Sequence, residues 1–188
     1  MRINESAIGN RRLLGPFRDD GLVPNSNFPA IVYPSAVHFE SRDPSESMEV
    51  LQENVWRNGW KVDWKGNVYR KVHYHSTAHE CLVVFRDQAQ IELGGRRFGQ
   101  YIKMKPGDVL LIPAGMGHEQ LTMSRHFLVF GLYPDDQDWD LNWGWEKERG
   151  NRRGKADYNI KRVALPHPNL YTDPIFGRGG PLMELWKK

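Results

Sequence analysis

The sequence predicts an all-β protein, a small antiparallel barrel or sandwich with one flanking helix and an extended arm at each end. Two observations carry this. From Trp60 to Tyr133, short apolar-rich runs follow one another at close spacing, broken by turns rich in Gly and Pro. Before them, only Pro44 to Asn58 combines helical periodicity with start and stop signals.

In chain order, residues 1–29 form an N-terminal arm, punctuated by Gly15-Pro16, Asp20-Gly21, Pro24 and Pro29, that packs on the barrel or exchanges with a neighbouring subunit. Ala30 to Tyr33 is a short strand ended by Pro34. The helix opens with Asp43 as cap, Pro44 in the first turn and Glu46 completing a capping box. Met48, Leu51 and Val55 make its inward stripe, and Gly59 stops it. Trp60–Lys65 and Val68–His75 then read as strands joined by a Gly66-Asn67 hairpin. His79–Arg86, Ala89–Leu93, Arg96–Met104, Val109–Pro113, His118–Met123 and Phe127–Tyr133 follow as strands, with turns at Gly94-Gly95 and Lys105 to Asp108. The helix and barrel core thus span 30–133 of a single domain over 1–188. Residues 134–157 read as a polar loop, Tyr158–Leu165 as a returning strand, and the rest of 158–188 as a C-terminal arm.

At 188 residues the chain suits one domain, and 12% aromatic content with seven Trp excludes disorder. A net charge of +3 is too small to imply a nucleic-acid partner. One cysteine, Cys81, cannot form an internal disulfide, and no signal peptide or membrane span is visible, so a cytoplasmic protein without a membrane partner is expected. Asp136, Asp138 and Asp140 alternate like a calcium loop, but Leu141 stands where that loop needs Gly and Lys147 where it needs Glu. Lys147, Arg149, Arg152, Arg153 and Lys155 beside Trp143 and Trp145 suit a solvated lid better than a single-stranded nucleic-acid platform.

The chemistry lies between His73 and His118. His73 and His75, two apart on a strand, point to one face. Glu80 opens the next strand after the polar turn Ser76-Thr77-Ala78, and His118 follows Pro113-Ala114-Gly115-Met116-Gly117. A His-x-His pair alone is most simply a solvent-facing accident; a carboxylate and a third imidazole at these positions make a transition-metal ligand set. Four protein ligands leave two positions of an octahedron open. Structural zinc favours thiolate, and Cys81, directly after Glu80, points to the opposite face. One divalent metal is therefore expected, with iron, manganese or nickel favoured and zinc, cobalt or copper compatible. Tyr69 and Lys71 share the phase of His73, and Gln120 and Thr122 that of His118, which makes Tyr69, Lys71 and Gln120 candidate substrate contacts. Lys71 at the barrel mouth could equally snorkel to water. His79, out of phase with Glu80, faces away from the lumen.

His73, His75 and Glu80, followed by Gly107, Pro113, Gly115 and His118, resemble the two signature motifs of the cupin superfamily. Phe17 to Gly21, Tyr74 to Glu80, Gly131 to Asp140 and Asp173 to Gly177 look like the YjlB-type single-domain cupins, a resemblance over most of the chain that breaks near 145–156. Two positions depart from the motifs: Asp87 stands where Gly is usual and Thr122 where Asn is usual. The resemblance implies a double-stranded β-helix, or jelly-roll barrel, and a homodimer. It also implies a metalloenzyme working on a small molecule, with dioxygenase chemistry commonest and isomerase or lyase chemistry next. The alternative is a non-catalytic metal-containing protein that binds or senses a small molecule.

Overall fold

A computed structural model describes residues 1–144 and 151–187; Trp145, Lys147 and Arg149 of the basic run lie outside them. The elements are β1 (Arg2–Ile3), α1 (Ser6–Gly9), β2 (Arg12–Leu14), β3 (Ala30–Tyr33), β4 (Val37–His38), α2 (Pro44–Trp56), β5 (Trp60–Gly66), β6 (His73–Tyr74), β7 (Glu80–Arg86), β8 (Ala89–Leu93), β9 (Gln100–Met104), β10 (Val109–Ile112), β11 (His118–Met123), β12 (Leu128–Pro134), β13 (Asn142–Trp143), α3 (Asn151–Ile160) and α4 (Leu182–Leu185). Two antiparallel sheets make the jelly roll: six strands in the order β2-β3-β10-β7-β12-β5, and five in the order β13-β6-β11-β8-β9. Among the described residues no helix is long and apolar enough to cross a membrane.

Alternation divides the apolar side chains between two cores. Leu82, Val84, Leu110, Ile112 and Val129 of the six-stranded sheet meet Ile91, Leu93, Ile102 and Met104 of the five-stranded sheet, forming the lumen. Their neighbours Cys81, Val83, Val109, Leu111, Phe130 and Leu132 point the other way, against Leu51 and Val55 of α2 and Tyr171, Ile175, Leu182 and Trp186 of the C-terminal arm. The six-stranded sheet is therefore buried on both faces, and strands such as Val109–Ile112 are continuously apolar rather than alternating.

The helix begins as its sequence predicts. Asp43 Oδ1 accepts from the backbone N–H of Ser45 and of Glu46, both at 2.9 Å. The capping box closes through a third residue: the Ser41 hydroxyl donates to Glu46 (2.6 Å) and accepts from the Asp43 N–H (3.1 Å). Gly59 ends the turn at φ +79°, and a Cβ there would come within 2.6 Å of the Leu170 carbonyl oxygen.

Three expectations need correction. Gly66-Asn67 is not a hairpin: β5 pairs with β12, and the predicted strand over Val68–His75 shrinks to His73–Tyr74. Tyr158 opens no returning strand, because Asn151–Ile160 is helical and the chain continues into the arm as turns. The polar stretch after Pro134 is not all loop, since Asn142–Trp143 adds a strand to β6. The arms lie on their own barrel, β1 against β4 and β2 against β3. The C-terminal arm is pinned by buried Asp173, which accepts from the Tyr33 hydroxyl (2.5 Å), the N–H groups of Ile175 and Phe176 (both 3.0 Å) and the Leu182 N–H (3.3 Å).

Candidate metal centre

β6 and β11 lie side by side with His73 directly opposite His118. His75 follows β6, and Glu80 opens β7 on the facing sheet. All four are at most 4% exposed. The ligand atoms of the three imidazoles lie within 4.8 Å of one another. Glu80 Oε2 is 3.0 Å from His118 Nε2 and 3.6 Å from His75 Nε2. The turn delivering His118 is fixed by Gly115, whose N–H donates to the His75 carbonyl at 2.8 Å and whose φ of +88° suits glycine.

Each imidazole uses Nδ1 on a backbone carbonyl: His73 on Lys71 (3.0 Å), His118 on Met116 (3.1 Å) and His75 on Asp140. A carbonyl only accepts, so Nδ1 carries a proton, and in the neutral ring Nε2 is left as a bare lone pair. The buried Glu80 Oε2 and His118 Nε2, although 3.0 Å apart, lie off a hydrogen-bonding line and have no hydrogen-bond partner among the described residues. Two acceptor atoms so close and so buried are costly unless something positive lies between them. Bonds of about 2.1 Å to a transition metal place adjacent donors about 3.0 Å apart, so the residues fit such an ion.

The electrostatics show a buried carboxylate that draws positive charge toward itself. Burial alone would raise the Glu80 carboxyl, but His75 and His118 hold it well below the usual carboxylate range. Burial, with His118 next, lowers His73 to about 2, so its imidazole is neutral. Burial also opposes charge on His75, yet Glu80 and the Asp140 carbonyl raise it. Asp140 is held below its ordinary range, in spite of burial, by donors from Ser76 and Asn142.

An aromatic wall that the sequence reading missed stands beside the donors. The Tyr133 hydroxyl donates to Glu80 Oε1 (2.8 Å) and accepts from Trp64 Nε1 (3.2 Å). Tyr133 stacks on Trp139, centroids 5.6 Å apart and planes 17° apart, and Trp139 Nε1 donates to Asp63 (3.0 Å). Trp64 reaches the lumen because β5 bulges: Gly131 opposes Trp64 and Leu132 opposes Val62, leaving Asp63 as the extra residue. Trp60 and Val62 consequently pack under α2, whereas Trp64 packs into the lumen. These rings, with Tyr69, His73, His75 and Glu80, line a cavity of about 290 Å³.

Of the candidate substrate contacts, Tyr69 lines that cavity, its ring edge-on to His73 at 5.1 Å and to Trp143 at 5.4 Å. Lys71 does not line it; its side chain is exposed, and its backbone carbonyl orients His73. Gln120 is buried with neither amide atom hydrogen-bonded among the described residues, but it too lies outside the cavity wall. A second bulge, between Gln120 and Thr122, turns Thr122 out to solvent and breaks the shared phase with His118. Asp87 adopts φ +58°, so the aspartate takes the left-handed conformation the usual glycine would. His79 faces away from the lumen, packs at 4.7 Å against Trp186, and accepts from the Ala114 N–H (2.9 Å).

A jelly-roll barrel whose lumen gathers three imidazoles and a carboxylate defines the cupin class. The chain is 39% identical over 173 residues, covering 92% of its length and 94% of the relative's, to the uncharacterized protein YjlB of Bacillus subtilis (strain 168), and it belongs to the YjlB family of single-domain cupins. No protein-family model matches the chain. Among solved structures it is similar to oxalate decarboxylase from Bacillus subtilis, at 16% identity and a TM-score of 0.35 over 61% of this chain and 22% of that one. It is also similar to vicilin from Solanum lycopersicum (tomato), at 13% identity and a TM-score of 0.39 over 80% of this chain and 45% of that one. The chain thus spans about a fifth of that decarboxylase (22%) and under half of the vicilin (45%).

Proposed function

We propose that the protein is a metal-dependent cupin acting on a small molecule, with His73, His75, Glu80 and His118 holding one divalent transition metal. One observation carries the reading: the buried pair Glu80 Oε2 and His118 Nε2, 3.0 Å apart and both without a hydrogen bond among the described residues. The donor set is nitrogen and oxygen only, since Cys81 is buried in the other core, which favours iron, manganese or nickel over a closed structural zinc. Such an ion supplies Lewis acidity and open positions for substrate or dioxygen. The chain's own residues do the rest. Backbone carbonyls fix the three tautomers, Tyr133 holds Glu80 by one oxygen and leaves the other toward the imidazoles, and the aromatic wall lines the cavity beside them. Dioxygenase-like turnover is the first reading, with isomerase or lyase chemistry next; non-catalytic binding or sensing is the rival.

The test is elemental analysis of untagged protein, followed by oxygen uptake with enols, thiols and catechols. About one metal per chain, lost in His75→Ala while the fold persists by circular dichroism, supports the metal site. Protein that takes up no metal, native or reconstituted, overturns it. Stoichiometric metal without turnover favours the binder.

A further inference from the structure

The cavity beside the candidate metal centre has a chemistry of its own. Its wall is largely aromatic, built from stacked Tyr133 and Trp139, the indole of Trp64, and Tyr69 against His73. The chain makes room for this wall at a specific position. Gly131 lies across the ladder from Trp64, and a Cβ there would come within 2.0 Å of the indole.

On the Tyr133–Trp139–Trp64 side every polar atom of the wall is engaged. Trp64 Nε1 donates to Tyr133, the Tyr133 hydroxyl donates to Glu80, and Trp139 Nε1 donates to Asp63. Lys65, the one cation among the residues lining the cavity, turns its ammonium to the Ser45 hydroxyl at 2.8 Å. That side of the wall therefore offers ring faces and edges, and the polar functions left for a ligand sit at the His–Glu end and at Asn67 and Tyr69. At about 290 Å³ the space is at the small end for a ligand site (roughly 300–1,000 Å³).

We infer that the cavity takes a flat aromatic or conjugated ligand of about one ring, carrying a single chelating head toward His73, His75 and Glu80. This rests on the metal-dependent reading above. Among the described residues of the wall a polyanion such as a sugar phosphate finds no further free cation to meet it, whereas a ring gains contact with the aromatic side chains.

The test compares three probes sharing one chelating head: benzohydroxamate, cyclohexanecarbohydroxamate of similar bulk without a π face, and acetohydroxamate. Binding to metal-loaded full-length protein is measured by calorimetry after metal content has been fixed by elemental analysis. Benzohydroxamate is expected to bind about 30-fold tighter than acetohydroxamate, from burial of one ring, and tighter than the cyclohexyl analogue. In Trp139→Ala, a partly exposed position that spares the core, that preference is expected to fall to about threefold with acetohydroxamate affinity unchanged. Gly131→Ala, which displaces Trp64, is expected to lower it independently. Equal affinities for the three probes on stoichiometrically metallated protein overturn this inference alone, as does an undiminished preference in both variants. Failure to take up metal overturns it together with the reading it rests on.

Discussion

Tyr133→Phe separates the candidate metal centre from its support, because it removes one oxygen and leaves the ring stacked on Trp139. That oxygen donates to Glu80 Oε1 at 2.8 Å and accepts from Trp64 Nε1 at 3.2 Å. Burial, then the charge of Glu80, drives the phenol far above its ordinary range, so it remains a protonated donor at any working pH. A hydrogen bond to a buried carboxylate contributes about 1.5–3 kcal/mol. Without metal, His75, which Glu80 draws toward its protonated, charged form 3.6 Å from Oε2, can still orient the carboxylate. With metal, that proton is gone and Tyr133 is the remaining donor to Glu80, so most of the loss falls on the metal-bound state. At about 1.4 kcal/mol per decade, metal affinity should fall roughly 10- to 100-fold. The metal-free protein should lose only about 1 kcal/mol, or roughly 2–4 °C in Tm. Competition against a chromophoric chelator measures the first, and thermal unfolding without metal the second. A metal Kd within about threefold of the parent would refute the placement of Tyr133 behind Glu80.

Three further outcomes are expected. In Asp173→Asn, Oδ1 keeps its two backbone donors, but the amide cannot accept from the Tyr33 hydroxyl or the Leu182 N–H, so chemical unfolding should show a loss of about 3 kcal/mol; a loss under about 1 kcal/mol would mean the C-terminal arm is not anchored there. Glu92 faces Glu119 across the β8–β11 ladder, and burial followed by that neighbour raises it to about 7. The folded state thus keeps a proton that the unfolded state releases, and stability falls as pH climbs from the ordinary carboxylate range to about 7. Glu92→Gln should match the parent's melting temperature at pH 4 and exceed it at pH 8, and a difference independent of pH would contradict the paired carboxyls. Asp140→Ala frees the segment whose carbonyl orients His75, so metal affinity should drop about 10-fold with secondary structure unchanged by circular dichroism; an unchanged affinity would separate that segment from the site.

What was legible in the sequence is what local rules control. Asp43-Pro44 starts a helix wherever it sits, and Gly115 and Gly107 take the positive φ that their turns require. The four donors could be read because each lies within two residues of a strand end or glycine turn that aims it. Val68–Val72 reads as a strand by periodicity but forms no ladder with β5, which is already committed to β12; its Tyr69 and Val72 carbonyls instead accept from the Gln120 and Gly144 N–H groups, both at 2.9 Å. The helix over Asn151–Ile160 carries few apolar side chains to announce it, and its buried Ala156 meets Val23, Val72 and Tyr74, contacts no local pattern encodes.

Two bulges explain why the donors were found and their surroundings were not. Period-two reasoning assigns faces correctly until an extra residue enters a strand, and then inverts every assignment beyond it. On β11 the inversion falls just after Gln120, so His118 and Gln120 keep the lumen and Thr122 loses it. On β5 it falls at Asp63, so Trp64 enters the lumen against the phase of Trp60 and Val62, and the displaced Asp63 is left to hold Trp139. The same irregularity that hid the aromatic wall from the sequence therefore builds it: a regular β5 would turn Trp64 under α2 and leave Tyr133 without its indole donor. On the function proposed above, the four donors hold the ligand's head, and the bulge at Asp63 sets the aromatic wall beside it.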